Sequence, residues 1–308
     1  MMNTPLSLNN LSHKRLHKRS HKGLPYKASR YKPSMGFTLV ELVMVIVVLG
    51  ILATGSVKFI SQSAQSLIDT SERQAMASSA TIAVEKVLRE VRRALPNSVH
   101  RFSDGGNECL ELVPILHSSE YISVPIASAA TSFNSIAFVA ATGSETGFVA
   151  VYPNSKDSIY GPNPATVPPT VRSISSSTAT TSAVGIPGAN MQTIQFDGAN
   201  TYRFPTDSPR KRFFLVDQPI SFCDDANGRL WRYQNYGFQP DSSGSIPTAG
   251  VNRILIADSL QANSLSFNIL PAQLQRNAVV RMSLTIARPD SATEEIDISQ
   301  EVQLRNVP

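Results

Sequence analysis

Hydrophobic positions along the chain fall into three regimes. Over 42–53 they are nearly continuous, with one glycine, Gly50, and the run fades by Val57. Later they recur in steps of three and four, at Ala80, Val84, Val87, Leu88, Val91 and Leu95. Beyond Pro96 they alternate with polar residues in short runs. These regimes predict an apolar helix, an amphipathic helix and a set of strands, in that order. No proline occurs in 37–95, so one helix can run through both of the first two regimes. It would be roughly 88 Å long at about 1.5 Å per residue. Lys86, Arg89, Glu90, Arg92 and Arg93 fill the face opposite the apolar stripe, and the stripe itself reads as core packing.

The predicted strands lie at 110–113, 121–126, 136–140, 148–152, 212–216, 220–223 and 230–233. Asn227-Gly228 favours a tight hairpin between the last two. Leu265, Phe267 and Ile269 share one strand face, and Val280, Met282, Leu284 and Ile286 another. Ile296, Ile298, Val302 and Leu304 complete a C-terminal antiparallel sheet. Residues 153–193 are rich in Pro, Ser and Thr and read as an exposed loop region. The fold class is therefore α+β: a long N-terminal helix packed on an antiparallel β-sheet head over 96–308.

Composition narrows the function. Hydrophobic residues make up 42% of the 308 and charged residues 17%, which excludes a fully disordered chain and a charge-rich coiled coil. Of the 28 Lys and Arg, eight lie in 1–36, which holds no acid, leaving 20 against 23 Asp and Glu beyond. The basic character therefore belongs to the N-terminus, and broad nucleic-acid affinity is not expected of the rest. Arg210-Lys211-Arg212 with Arg229 and Arg232 is the one local basic patch the sequence suggests.

A basic segment followed by an apolar one orients a membrane helix. Residues 37–57 span about 31 Å as a helix, matching a bilayer core of about 30 Å. The positive-inside rule places 1–36 in the cytoplasm and the head outside it. A secretory signal peptide, cut after the small residues Ala53 and Gly55, is one reading. Glu41 argues for a retained segment, because an acid within an apolar run costs roughly 2.5–3.5 kcal/mol at a membrane-helix centre and asks for a partner.

Gly36-Phe37-Thr38-Leu39-Val40-Glu41, followed by the apolar run, resembles the processing signal of type IV pilins and pseudopilins. The resemblance implies that prepilin peptidase removes 1–36 by cutting between Gly36 and Phe37. It implies N-methylation of Phe37, and in the filament a salt bridge between Glu41 of one subunit and the Phe37 amine of its neighbour. A buried unpaired charge costs several kcal/mol, so such a pair would favour correct register. The implied layout is a cleaved leader 1–36, a membrane and filament-core helix 37–57, an amphipathic helix 58–95 and the head. A 36-residue leader is long, so translation starting later in the sequence is also open.

In the head, Arg212-Phe213-Phe214-Leu215-Val216, Pro219-Ile220-Ser221-Phe222-Cys223, Leu230-Trp231-Arg232-Tyr233 and the closing Val302-Gln303-Leu304-Arg305-Asn306-Val307-Pro308 are similar to large minor pilins. The mannose-sensitive haemagglutinin pilus group is the nearest likeness, and PilW-type and J-type minor subunits are similar. The implied function is a minor pilin in type IV pilus biogenesis, at initiation or at the tip. The alternatives are a minor pseudopilin of type II secretion, or a tip adhesin or DNA-binding pilin. Implied partners are other major and minor pilins, prepilin peptidase and the inner-membrane assembly platform. The implied location is the inner membrane, single-pass, and then the pilus at the cell surface.

No enzyme is expected, and no catalytic residue, metal or cofactor. His13, His17 and His21 lie in the leader, and His100 and His117 have no cysteine or paired acids at ligand spacing. Asp224-Asp225-Ala226-Asn227-Gly228 resembles a calcium loop but lacks alternating ligands and a terminal glutamate, so a polar hairpin turn is expected. Cys109 and Cys223 are the only cysteines. Beyond a membrane segment they meet conditions in which a disulfide persists, and a bridge between them is expected rather than two free thiols.

Overall fold

The computed structural model describes residues 36–138, 144–161, 172–182, 190–239, 251–272, 277–288 and 291–304, with side chains from 294 onward in the last stretch. Helix α1 (Leu39–Arg92) has 54 residues. The chain forms two compact units, Met1–Gln62 and Ser63–Pro308. In the first, every described residue is exposed, Leu39, Leu49 and Ile60 among them.

The helix stops three residues earlier than the sequence predicts. Its end tightens through Arg93 N–H to Glu90 O (3.0 Å) and Ala94 N–H to Val91 O (3.1 Å). The chain then extends, with Leu95 N–H donating to Val113 O at 2.8 Å. Proline disfavours the helical region for the residue before it, and Pro96 follows Leu95. Leu95 is fully buried, but among Val113, Ile159, Tyr160 and Phe214 rather than on the helix stripe.

The strands are β1 (His100–Asp104), β2 (Asn107–Leu112), β3 (Ile115–Ser123), β4 (Ser132–Ile136) and β5 (Thr146–Val151), then a short helix α2 (Lys156–Tyr160). They continue as β6 (Ala179–Thr181), β7 (Met191–Phe196), β8 (Arg212–Val216), β9 (Ile220–Asp224) and β10 (Leu230–Gln234). The last are β11 (Asn252–Ala257), β12 (Ser266–Leu270), β13 (Val279–Arg288) and β14 (Ser291–Gln303). Where the sequence suggests one antiparallel sheet, the described chain forms three. They are a five-stranded sheet β1-β2-β9-β10-β11, a three-stranded sheet β12-β13-β14 and a closed six-stranded barrel β3-β4-β7-β6-β5-β8.

The barrel is an insertion. Strands β2 and β9 pair directly, Leu112 against Ile220, and the chain between them builds all six barrel strands. Strand β3 makes closure possible. Its first part pairs with β8 and its end with β4, and register shifts follow Ile115 and Tyr121. Such irregularities bend a strand and increase its twist. The stretch 153–193, expected as an exposed loop region, is corrected in its described parts. It supplies α2 and β6, and Ile159, Tyr160, Ile174 and Ala179 are buried.

In the second unit, α1 packs as its spacing predicts. Met76, Ala80, Ala83, Val84, Val87, Leu88 and Val91 are buried and join Leu110, Leu112, Phe222, Phe267, Val280 and Met282 in one core. Fully burying each large apolar side chain contributes about 1.5–3 kcal/mol. Earlier in the helix, where apolar burial is thin, charges take over. Arg288 at the end of β13 pairs with Asp69 (3.2 Å), Glu72 and Glu294 (2.8 Å), and Arg73 pairs with Glu294. A separate aromatic cluster of Phe133, Phe196, Tyr202, Phe204 and Phe213 fills the barrel.

Candidate functional site

The N-terminal motif sits at the very start of α1. Thr38 occupies the N-cap: its Oγ1 accepts from the Glu41 N–H at 3.2 Å, and its carbonyl accepts from the Leu42 N–H at 3.1 Å. Thr38-x-x-Glu41 has the spacing of a capping box, in which a Ser or Thr cap and an acid three residues on satisfy the orphan N–H groups of a helix start. Glu41 is the acid of the first turn. This local role was open to the sequence through that spacing. Gly36 has no packing reason to be glycine, since a Cβ there would meet nothing within 4 Å and its backbone is not left-handed. Phe37 is 77% exposed. Among the described residues, α1 is the one helix long and apolar enough to cross a membrane.

In the head, Cys109 and Cys223 are bonded, with their Cα atoms 4.3 Å apart. They stand directly opposite each other in the β2–β9 ladder, and both are buried. They lie on the sheet face away from α1, beside Phe102, Tyr233 and Tyr236.

The same sheet face holds a polar cluster that residue spacing did not suggest. The β1–β2 register sets His100 opposite Glu111, with Nε2 3.2 Å from Oε2. The Tyr236 hydroxyl donates to Glu111 Oε1 at 2.7 Å and lies 2.5 Å from Ser221 Oγ. Burial, and then the Glu111 carboxylate, push the Tyr236 pKa far up, so the phenol stays neutral. In a Ser-His-acid triad the imidazole touches the hydroxyl nucleophile; here the tyrosine does. The cluster instead satisfies buried polar groups beneath the sheet.

The Asp224–Gly228 stretch is the expected hairpin turn. Asp225 accepts from the Asn227 and Arg229 N–H groups (2.9 and 3.0 Å) and from Trp231 Nε1 (2.8 Å). Burial raises the Asp225 pKa, but these bonds outweigh it and hold the carboxyl below its usual range. Gly228 is required, with φ +69° and room for a Cβ denied by Leu260 O at 2.4 Å. Among the described residues no group of three or more His, Cys, Asp or Glu is placed to hold a metal ion. His13, His17, His21 and the closing 305–308 lie outside the described residues.

The basic patch suggested by sequence is rearranged. Lys211 pairs with Asp207, and Arg232 reaches Glu90 at 2.9 Å. Arg212 instead lines a cleft with Arg92, Arg93 and His117. No protein-family model, curated protein or solved structure matches this chain.

Proposed function

We propose that this chain is a minor pilin of a type IV pilus, made as a precursor and processed between Gly36 and Phe37. One observation carries the reading: Gly36-Phe37-Thr38-Leu39-Val40-Glu41 leads into an apolar helix whose residues are exposed through Gln62. An apolar surface of that extent calls for a membrane or neighbouring helices. The unconstrained surroundings of Gly36 also support it. Since the fold does not require glycine there, a small residue suits recognition by a peptidase. On this reading the leader stays cytoplasmic, the head lies across the inner membrane, and Phe37 becomes the methylated N-terminus. Glu41 then pairs with the Phe37 amine of a neighbouring subunit, and the head meets other minor subunits at initiation or at the tip.

The test is N-terminal sequencing of the protein from cells that carry a prepilin peptidase. A mature chain beginning at Phe37 is expected. Gly36→Val should leave the precursor uncut but folded, because the added side chain meets open space. A mature N-terminus near Ser56 would overturn the reading and indicate an ordinary signal peptide.

A further inference from the structure

Strands β3 and β8 and the end of α1 enclose a cleft of about 780 Å³. Arg92 and Arg93 enter from the helix end, Arg212 from β8 and His117 from β3. Elsewhere in the second unit Arg73, Arg232 and Arg288 each reach a carboxylate, whereas the outlying Arg89, Arg203 and Arg210 have none within ion-pair distance among the described residues and do not line the cleft. Among the described residues, no carboxylate lies within ion-pair distance of Arg92, Arg93 or Arg212. Glu120 stands opposite Arg212 in the β3–β8 ladder without pairing with it. The nearest acid to His117 is Glu145, at 3.7 Å, which does not line the cleft.

Arg92 and Arg93 are exposed and Arg212 is half-buried, so their guanidinium groups are accessible to a ligand at the cleft. Arg92, in the last turn of α1, complements the helix dipole. That explanation does not extend to Arg212 on a strand. Guanidinium forks match the oxygens of phosphate in a bidentate way. A dianionic phosphate can take more than one such fork, where a single carboxylate takes one. The cleft is also larger than one phosphate needs, and Ile115, Leu116 and Phe214 give it apolar walls. Clefts of roughly 300–1,000 Å³ hold small organic ligands.

We propose that this cleft binds an organic phosphate, its phosphoryl group held by Arg92, Arg93 and Arg212 and its carbon portion lying against Leu116 and Phe214. The inference is independent of the pilin reading, since it uses the second unit alone.

The test is calorimetric titration of the full chain, held in phosphatidylcholine nanodiscs, with glucose 6-phosphate and with glucose. Saturable binding of the phosphate, and none of glucose, is expected. Arg93→Gln and Arg212→Gln should each weaken it about tenfold, the effect of losing one charge-assisted hydrogen bond. Arg212→Lys, which keeps the charge but not the fork, should fall between. Circular dichroism with an intact Cys109–Cys223 bond establishes that each variant is folded. Repeating the titration in discs doped with phosphatidic acid separates the sources. Loss of binding there indicates a lipid headgroup as the occupant, and unchanged binding a soluble phosphate. No saturable binding in undoped discs, or full affinity in folded Arg93→Gln and Arg212→Gln, would overturn the proposal.

Discussion

Glu41 has two explanations that act on different scales of distance. Locally it stands at N3 of α1, three residues after the capping Thr38. A carboxylate near a helix N-terminus contributes about 0.3–1 kcal/mol. In the proposed filament it also pairs with an amine of another chain. The two roles separate chemically. Glu41→Gln keeps a side chain able to complete a capping box but removes the charge, whereas Glu41→Val removes both. We expect both variants to be processed and held in the membrane. We expect both to co-purify poorly with partner subunits, with the glutamine variant keeping a helix start as resistant to proteolysis as the parent. Normal incorporation of Glu41→Gln would leave capping as the whole role of the residue. The Thr38-x-x-Glu41 spacing was readable in the sequence. The His100–Glu111 pair was not, because strand register, not spacing, brings an imidazole in β1 opposite a carboxylate in β2.

Elements were legible where burial follows a simple period. The stripe from Ala80 to Val91 is buried as spaced. Val280, Met282, Leu284 and Ile286 face the core while Arg281 is exposed. Barrel strands β5 and β8 coincide with predicted runs, but β4, β6 and β7 hid because their inward positions include polar groups. Ser135 in β4, Thr181 in β6 and Gln192 in β7 are all buried, which breaks the alternation that marks a half-buried strand. Strand β1 reads His-Arg-Phe-Ser-Asp and offers no apolar signal either. Around Asp69, Glu72 and Arg73 the contact between α1 and the β13–β14 hairpin depends on charge, and that makes this part of it sensitive to acid. Hydrogen bonds from Arg288, and then Arg73, hold the Glu294 carboxyl below its usual range. A depressed folded pKa means stability that is fully present above the unfolded value of about 4.3 and is lost as pH falls through the folded value. Amide protection in α1 around Asp69 and Arg73, taken relative to the intrinsic exchange rate at the same pH, should therefore fall on acidification before protection around 80–91 does. Arg288→Gln should lower protection there at neutral pH and flatten the dependence of that protection on acid. An unchanged pH profile in that variant would show that the apolar stripe alone holds this part of the helix.

At the scale of the whole molecule, the α+β class was visible in the shift of period at Pro96. The division of the head was not. Two strands adjacent in a sheet, β2 and β9, are separated in sequence by a complete barrel, and no local pattern announces such an excursion. The bond between Cys109 and Cys223, 114 positions apart, joins the strands that lead into and out of it. In the chain-entropy treatment a loop of this length gives about 4–5 kcal/mol of stability. It also has a mechanical meaning. Tension applied between the two ends of the chain passes from β2 to β9 through the sulfur–sulfur bond, and the barrel hangs outside the loaded path. The oxidised chain, stretched between its termini, should release a contour length shorter than that of the reduced chain by about 114 residues. At about 3.3–3.6 Å per residue that is roughly 380–410 Å. Single-molecule force extension with and without reductant measures this difference directly. Equal extensions would mean the barrel bears the load. In the proposed filament, under pull, the cross-link would be a shunt: the backbone of the head can be strained while the barrel, with whatever surface it presents, stays folded.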